Sequence, residues 1–187
     1  IEYKNTGWNN LSGWIKYEFL QQRSDIVNEN AATSVAAYYT PYNVNSFDRN
    51  KVKLWADWTP APLWLVGLGA TWADTDYKDN FYGRVNDQTQ QYDVTASWGD
   101  DKLRITGIGN WGKVEFEQDY RNMASGTSPL PGGPQTSTTF DWSTNNTQDG
   151  WMVGALVDWA ATDKLMMTAS YSYGRTGGGV DFSSGNT

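Results

Sequence analysis

Asp74-Thr75-Asp76-Tyr77-Lys78-Asp79-Asn80 is a run of closely spaced hard oxygens, the donor type that calcium or magnesium would need. It lacks the glycine and the bidentate glutamate of an EF-hand loop, so it reads better as an acidic, solvated outer loop. Gly107-Ile108-Gly109-Asn110-Trp111-Gly112 has the spacing G-x-G-x-x-G, but it sits inside an alternating strand pattern with no helix after it. A dinucleotide site needs that helix, and glycines in a strand more often relieve crowding or bend it. Asn145-Asn146-Thr147 matches a glycosylation sequon, which by itself is uninformative. The chain contains neither His nor Cys. The commonest general base, haem ligand and zinc ligand is therefore absent, along with disulfides, thiolate metal sites and C-x-x-C-H haem attachment. Serines have no histidine to activate them, so a Ser-His hydrolase mechanism cannot reside here.

What remains is a set of charges at alternate positions. Lys16, Glu18, Lys51, Lys53, Asp57, Asp93, Arg104 and Asp158 each face away from an apolar neighbour. They are candidate lumen-facing residues. They form either a generic wet interior or a surface for ions or a protein plug, and periodicity does not separate these readings. The signs are mixed, with no single-sign ladder of the kind a strongly ion-selective channel uses. The net charge of −7 disfavours nucleic acid as a partner.

The elements that would hold these residues alternate with period two. Val52, Leu54, Ala56 and Trp58 share one face, and Lys51, Lys53, Trp55 and Asp57 the other. Trp64, Val66, Leu68, Ala70 and Trp72 lie opposite Gly67, Gly69 and Thr71. The same pattern recurs at 13–23, 91–98, 103–111, 151–159 and 165–173, with a ragged strand at 1–8. This predicts about eight strands in four hairpins within a single unit, 1–187. Polar turns near 9–13, 59–62, 99–102 and 160–164 are short; connections near 24–48, 74–88, 118–149 and 176–187 are long. Ser128-Pro129-Leu130-Pro131-Gly132-Gly133-Pro134 cannot hold a central strand.

Tryptophan marks the edges of the short turns. Trp8, Trp58, Trp64, Trp98 and Trp159 flank them, and Trp72, Trp111 and Trp151 stand further along the strands. Such placement fits an aromatic girdle at a bilayer interface. Trp64 and Trp72 are eight residues apart on one face, as are Trp151 and Trp159. At roughly 3.3 Å per residue that is about 26 Å of strand, or about 20 Å of height at a tilt of roughly 40°, near the ~25 Å apolar band of a barrel. No run approaches eighteen apolar residues, which bears on helices but not on barrel strands. Short turns at one end and long loops at the other place the turns in the periplasm. The fold expected is all-β: an antiparallel transmembrane β-barrel in the bacterial outer membrane. A soluble sandwich or solenoid with core tryptophans is the alternative, but it would seldom set Trp repeatedly beside turns. The chain opens at Ile1 without Met or a signal-peptide pattern, and reads as a processed or partial segment.

Phe47-Asp48-Arg49, then Leu54-x-Ala56-Asp57-Trp58-Thr59-Pro60, then Asp76-Tyr77-Lys78-Asp79-Asn80 and Tyr82-Gly83 follow one another in order. Thr162-Asp163-Lys164-Leu165 leads later into Thr168-Ala169-Ser170-Tyr171-Ser172-Tyr173. These stretches resemble the PioB/MtrB family of decahaem-associated outer-membrane proteins. The resemblance implies a barrel of more than twenty strands, of which this chain is a segment, sheathing a multihaem c-type cytochrome. The cytochrome would carry electrons across the outer membrane while the barrel insulates and positions it. It further implies no catalytic residue, no cofactor or metal in this chain, haem in the partner, and an outer-surface cytochrome as a second partner beside outer-membrane lipid. The C-x-x-C of some family members is missing here. A general or substrate-specific porin is the alternative function, and a closed eight-stranded barrel acting as an adhesin or enzyme is a third.

Overall fold

The computed structural model describes residues 1–24, 46–78, 82–122 and 140–184. They form one antiparallel sheet: β1 (Glu2–Trp8), β2 (Leu11–Gln22), β3 (Ser46–Trp58), β4 (Trp64–Lys78), β5 (Gly83–Gly99), β6 (Leu103–Asn122), β7 (Phe140–Thr162) and β8 (Leu165–Ser184). Each strand pairs with its sequence neighbours, in the order β1 to β8. No ladder joins β1 to β8 among the described residues, so the sheet is open. The closed eight-stranded barrel is thereby excluded for these residues, because closure would require those two edges to pair.

The register carries each side chain's neighbours across the whole sheet. One row runs Tyr3, Ile15, Leu54, Ala70, Tyr92, Trp111, Trp151 and ends on Arg175 at the β8 edge; the next runs Gly13, Ala56, Leu68, Val94, Gly109, Val153, Tyr173. Directly opposed residues share a face, so these rows define the apolar face. The opposite face carries rows such as Lys16, Lys53, Thr71, Gln91, Gly112 and Ser12, Asp57, Gly67, Thr95, Ile108. Only Ala70 and Tyr82 are buried apolar residues among those described. A single sheet with both faces open has no core of its own. Its apolar face needs a nonpolar solvent, and its backbone groups are satisfied by the ladders.

The turns are tight for identifiable reasons. Pro60 and Pro62 end β3, and Leu63 adopts a left-handed φ of 71° to start β4. Gly99, at φ 132°, turns β5 where a Cβ would lie 1.9 Å from the Leu103 carbonyl oxygen. Asp100 Oδ1 accepts from the Lys102 and Leu103 amides at 2.8 and 3.1 Å. Neighbouring turns are also stitched together: Thr59 N donates to Asn10 O, Gly99 N to Leu63 O and Ala160 N to Lys102 O, at 2.8–3.0 Å.

The strands run well past the boundaries the sequence predicts. The loop expected near 74–88 is largely strand, since β4 continues to Lys78 and β5 begins at Gly83. The loop near 118–149 gives up residues to β6, which ends at Asn122, and to β7, which begins at Phe140. Similarly β8 occupies 176–184 of the expected terminal loop, and β3 begins at Ser46 inside the expected 24–48. The turn segments also shift by a residue or more: β2 resumes at Leu11, the second turn extends to Leu63, Gly99 belongs to β5, and β7 holds to Thr162. A ladder needs backbone partners rather than apolar side chains, so polar sequence did not end these strands. The remaining parts of the expected loops, 25–45, 79–81, 123–139 and 185–187, lie outside the described residues.

Candidate functional site

Two rows of aromatics bound the apolar face. Trp8, Trp58, Trp64, Trp98 and Trp159 stand at the turn end, with Trp64 opposite Trp98 and Trp8 and Trp58 both opposite Leu11. Trp72, Tyr92, Trp111 and Trp151 form the second row, joined to Tyr173. Their ring centroids are 5.7 Å apart for Trp72–Tyr92, 5.5 Å for Tyr92–Trp111 and 5.6 Å for Trp151–Tyr173. Trp72 Nε1 donates to Tyr92 Oη at 2.9 Å. Between the rows this face, as described on β2 to β8, carries no charged, amide or Ser/Thr side chain.

The eight charged candidates all lie on the opposite face, and the structure gathers some of them. Lys16 opposes Lys53 and Glu18 opposes Lys51. Glu18 bridges Lys16 at 2.8 Å and Lys53 at 3.5 Å. Arg49, two residues before Lys51 on the same face, joins the group and donates from Nε to Thr75 Oγ1 at 3.1 Å. Asp57 stands apart and accepts from Trp55 Nε1 at 2.8 Å. The Trp55 indole lies along β4, where a Cβ at Gly69 would fall 2.6 Å from its ring and one at Gly67 2.8 Å from it. Asp93 is a separate anchor, accepting from Asn110 Nδ2 at 2.5 Å and Gln91 Nε2 at 3.2 Å. Arg104 and Asp158 are cross-strand partners, and Thr168 Oγ1 donates to Asp158 at 2.7 Å.

Beyond the second aromatic row the apolar face turns polar and the reverse face gains rings. The face that was apolar now carries Asp48, Asp74, Asp76, Gln88, Lys113, Glu115, Glu117 and Asp149. The other carries Phe47, Tyr77, Phe116, Tyr120, Trp142 and Phe182 among polar residues such as Arg49, Asp87, Gln118, Thr144 and Asn146. Tyr120 stacks on Trp142 with centroids 4.2 Å apart, and Trp142 meets Phe182 at 5.9 Å. The Arg84 guanidinium lies 4.1 Å above the Phe116 ring and donates to Asp87, which also accepts from Tyr77. Burial, followed by the bond to Asp87, pushes the Tyr77 phenol up from its usual pKa.

Near the far ends of β6 and β7, buried Arg121 grips Asp141 with Nε at 2.5 Å and Nη2 at 2.8 Å. Their hydrogen bond, then the guanidinium charge, holds the Asp141 carboxyl below its usual range. Burial, and then the charges of Glu117 and Asp141, push Asp119 the other way. Sequence reasoning missed Arg49, the Arg121–Asp141 pair and the inner aromatics. The signal was present: Val114, Phe116, Gln118 and Tyr120 continue the even-numbered face of β6 past Trp111. Asp74–Lys78, expected as a solvated acidic loop, instead continues β4, which divides its side chains between two faces.

A wall with an uncharged apolar band between aromatic rows and a charged reverse face belongs in a membrane. Residues 1–187 match the family of outer membrane β-barrel porins MtrB/PioB. The chain belongs to the MtrB/PioB family. It is an outer-membrane protein, and its open sheet is part of a β-barrel wall. Among curated proteins none matches this sequence.

Proposed function

We propose that this MtrB/PioB wall sheathes a multihaem c-type cytochrome and so supports electron transfer across the outer membrane. The aromatic rows would seat the apolar band in lipid, with the turn end in the periplasm and the far end outside. The charged face would then line the lumen. The observation that carries the reading is the set of aromatic rings on the inner face beyond the second row. An open, water-filled mouth favours polar side chains throughout, whereas Phe116, Tyr120, Trp142 and Phe182 set rings among the polar residues of that face. A protein occupant accounts for those rings. The unpaired edges of β1 and β8 support a barrel wider than eight strands, with room for such an occupant. In this reading haem belongs to the partner, and the chain supplies insulation and position.

The test is to purify the native assembly from outer membranes under mild detergent and record its visible spectrum. A reduced c-type haem spectrum co-purifying with the barrel is expected. A haem-free barrel that conducts ions freely in a planar bilayer would overturn the reading in favour of an ordinary porin.

A further inference from the structure

Lysine and arginine are concentrated on one patch of inner wall in a chain whose net charge is −7. Arg49, Lys51 and Lys53 occupy successive same-face positions on β3, about 7 Å apart at Cα. Lys16 stands directly opposite Lys53 on β2, an arrangement of like charges that costs stability. The only carboxylate among them is Glu18, and it is taken by Lys16 and Lys53. Neither Arg49 nor Lys51 has a carboxylate within ion-pair distance among the described residues. Elsewhere along these strands most cations are paired locally: Lys4 with Glu2, Arg23 with Asp48, Lys78 with Asp76, Arg84 with Asp87, Lys113 with Glu115 and Arg121 with Asp141, while Arg104 and Arg175 stand singly among the described residues. Carboxylates stand on the outer face at the same height, in Asp48, Asp74 and Asp76, but the sheet separates them from the patch, and Asp48 and Asp76 already pair with Arg23 and Lys78.

We propose that Arg49, Lys51, Lys53 and Lys16 form a docking patch for aspartate and glutamate side chains on the protein that fills the lumen. This rests on the sheath reading above and specifies which strands grip the occupant and by what chemistry. A wall with surplus positive charge on β2–β3 is complementary to an acidic protein face, and such complementarity fixes rotational register as well as affinity. The neighbouring stretch of β4 is uncharged, with Thr71 opposite Lys53 and Gly69 and Gly67 beneath the Trp55 ring, so an occupant can approach the cations closely.

The experiment uses the full-length barrel in its native outer membrane with Arg49→Gln, Lys51→Gln and Lys53→Gln combined, and Lys113→Gln as an outer-face control. An affinity-tagged barrel is washed with increasing salt, and the haem absorbance retained on it is read. The triple variant is expected to release its occupant at lower salt, with binding about tenfold weaker at moderate ionic strength, and the control to match wild type. Removing mutually repelling cations should leave the empty barrel at least as resistant to heat unfolding as wild type. Weaker docking together with an undiminished barrel would not follow from a merely structural role. Retention with the wild-type salt profile would overturn the patch while leaving the sheath reading intact. Absence of haem from the wild-type assembly would instead sink the sheath reading. Should the triple variant assemble poorly, Lys51→Gln alone gives the same comparison. If the patch serves small anions, the barrel's reversal potential in a KCl gradient will shift in the variant while occupant retention does not, and that result also overturns the proposal.

Discussion

The same strands build two different walls. Between the aromatic rows, β4 to β8 present Val66, Val94, Ile105, Val153 and Met167 outward and keep Asp93, Arg104 and Asp158 on the reverse. Past the second row, the backbone ladder of β6–β7 continues unchanged to Asn122–Phe140, yet the outward face becomes acidic and the inward face sets Phe116, Tyr120 and Trp142 among Gln118, Thr144, Asn146 and Gln148. The backbone is indifferent to this exchange, so the solvent on each side must drive it. In the membrane placement proposed above, lipid would select the outer face of the band and water the outer face of the extension.

The strongest way to break this comparison is a charge on the outer face of the band. Ala155→Arg should cost about 2–4 kcal/mol near the bilayer middle, whereas Thr147→Arg, on the same strand face in the extension, should stay within about 0.5 kcal/mol. Urea unfolding in lipid vesicles measures both; equal costs would mean that the second row does not mark a membrane boundary.

The next effect lies in the extension. Asp141→Asn leaves Arg121 with its guanidinium buried and its partner uncharged, at a cost of about 2–3 kcal/mol because Asp141 remains partly exposed. Limited proteolysis should then open the ends of β6 and β7 while the band stays protected. The pH dependence has two opposing parts. Asp141 titrates below its ordinary value of 3.8 in the fold, so its contribution is complete near neutrality and is lost as pH falls below that value. Asp119 titrates above 3.8 in the fold, so its ionised form opposes folding near neutrality and acidification first relieves it. Protease resistance of the extension should therefore rise slightly and then fall as pH drops. Asp119→Asn should remove the rise.

Smaller again, Gly69→Ala forces a methyl group to within 2.6 Å of the Trp55 ring. Displacing the ring should cost about 1–2 kcal/mol and shift tryptophan emission on the inner side only, as quenching by a lumen-confined reagent would show. Trp111→Leu removes the contact with Tyr92 and should cost about 0.5–1.5 kcal/mol beyond its lost area. Lipid-phase quenchers would report that change, which keeps the two faces experimentally distinct.

The sequence disclosed the band far better than the extension. Alternation from Trp64 to Trp72 and from Trp151 to Trp159 set their strands and faces, because an apolar side against a polar side gives a period that can be read. From Asp74 and from Trp111 onward the outer side is Asp, Glu, Lys and Arg, and its polarity hid a continuing strand. Phe116 and Tyr120 kept the period but on the opposite parity. Pairings such as Arg121 with Asp141, or Glu18 with two lysines, depend on interstrand register, which lies outside local pattern. Arg49 appeared in a recognisable motif, yet its place in a cationic cluster emerged only when β2 and β3 were aligned.

With only Ala70 and Tyr82 buried as apolar residues among those described, this sheet would gain almost nothing by forming in water. Acquiring its structure and entering the bilayer are then one thermodynamic event. Before that event the unfolded polypeptide would expose the tryptophans of both rows to water, so the same residues that suit the wall to lipid make the unassembled chain prone to self-association.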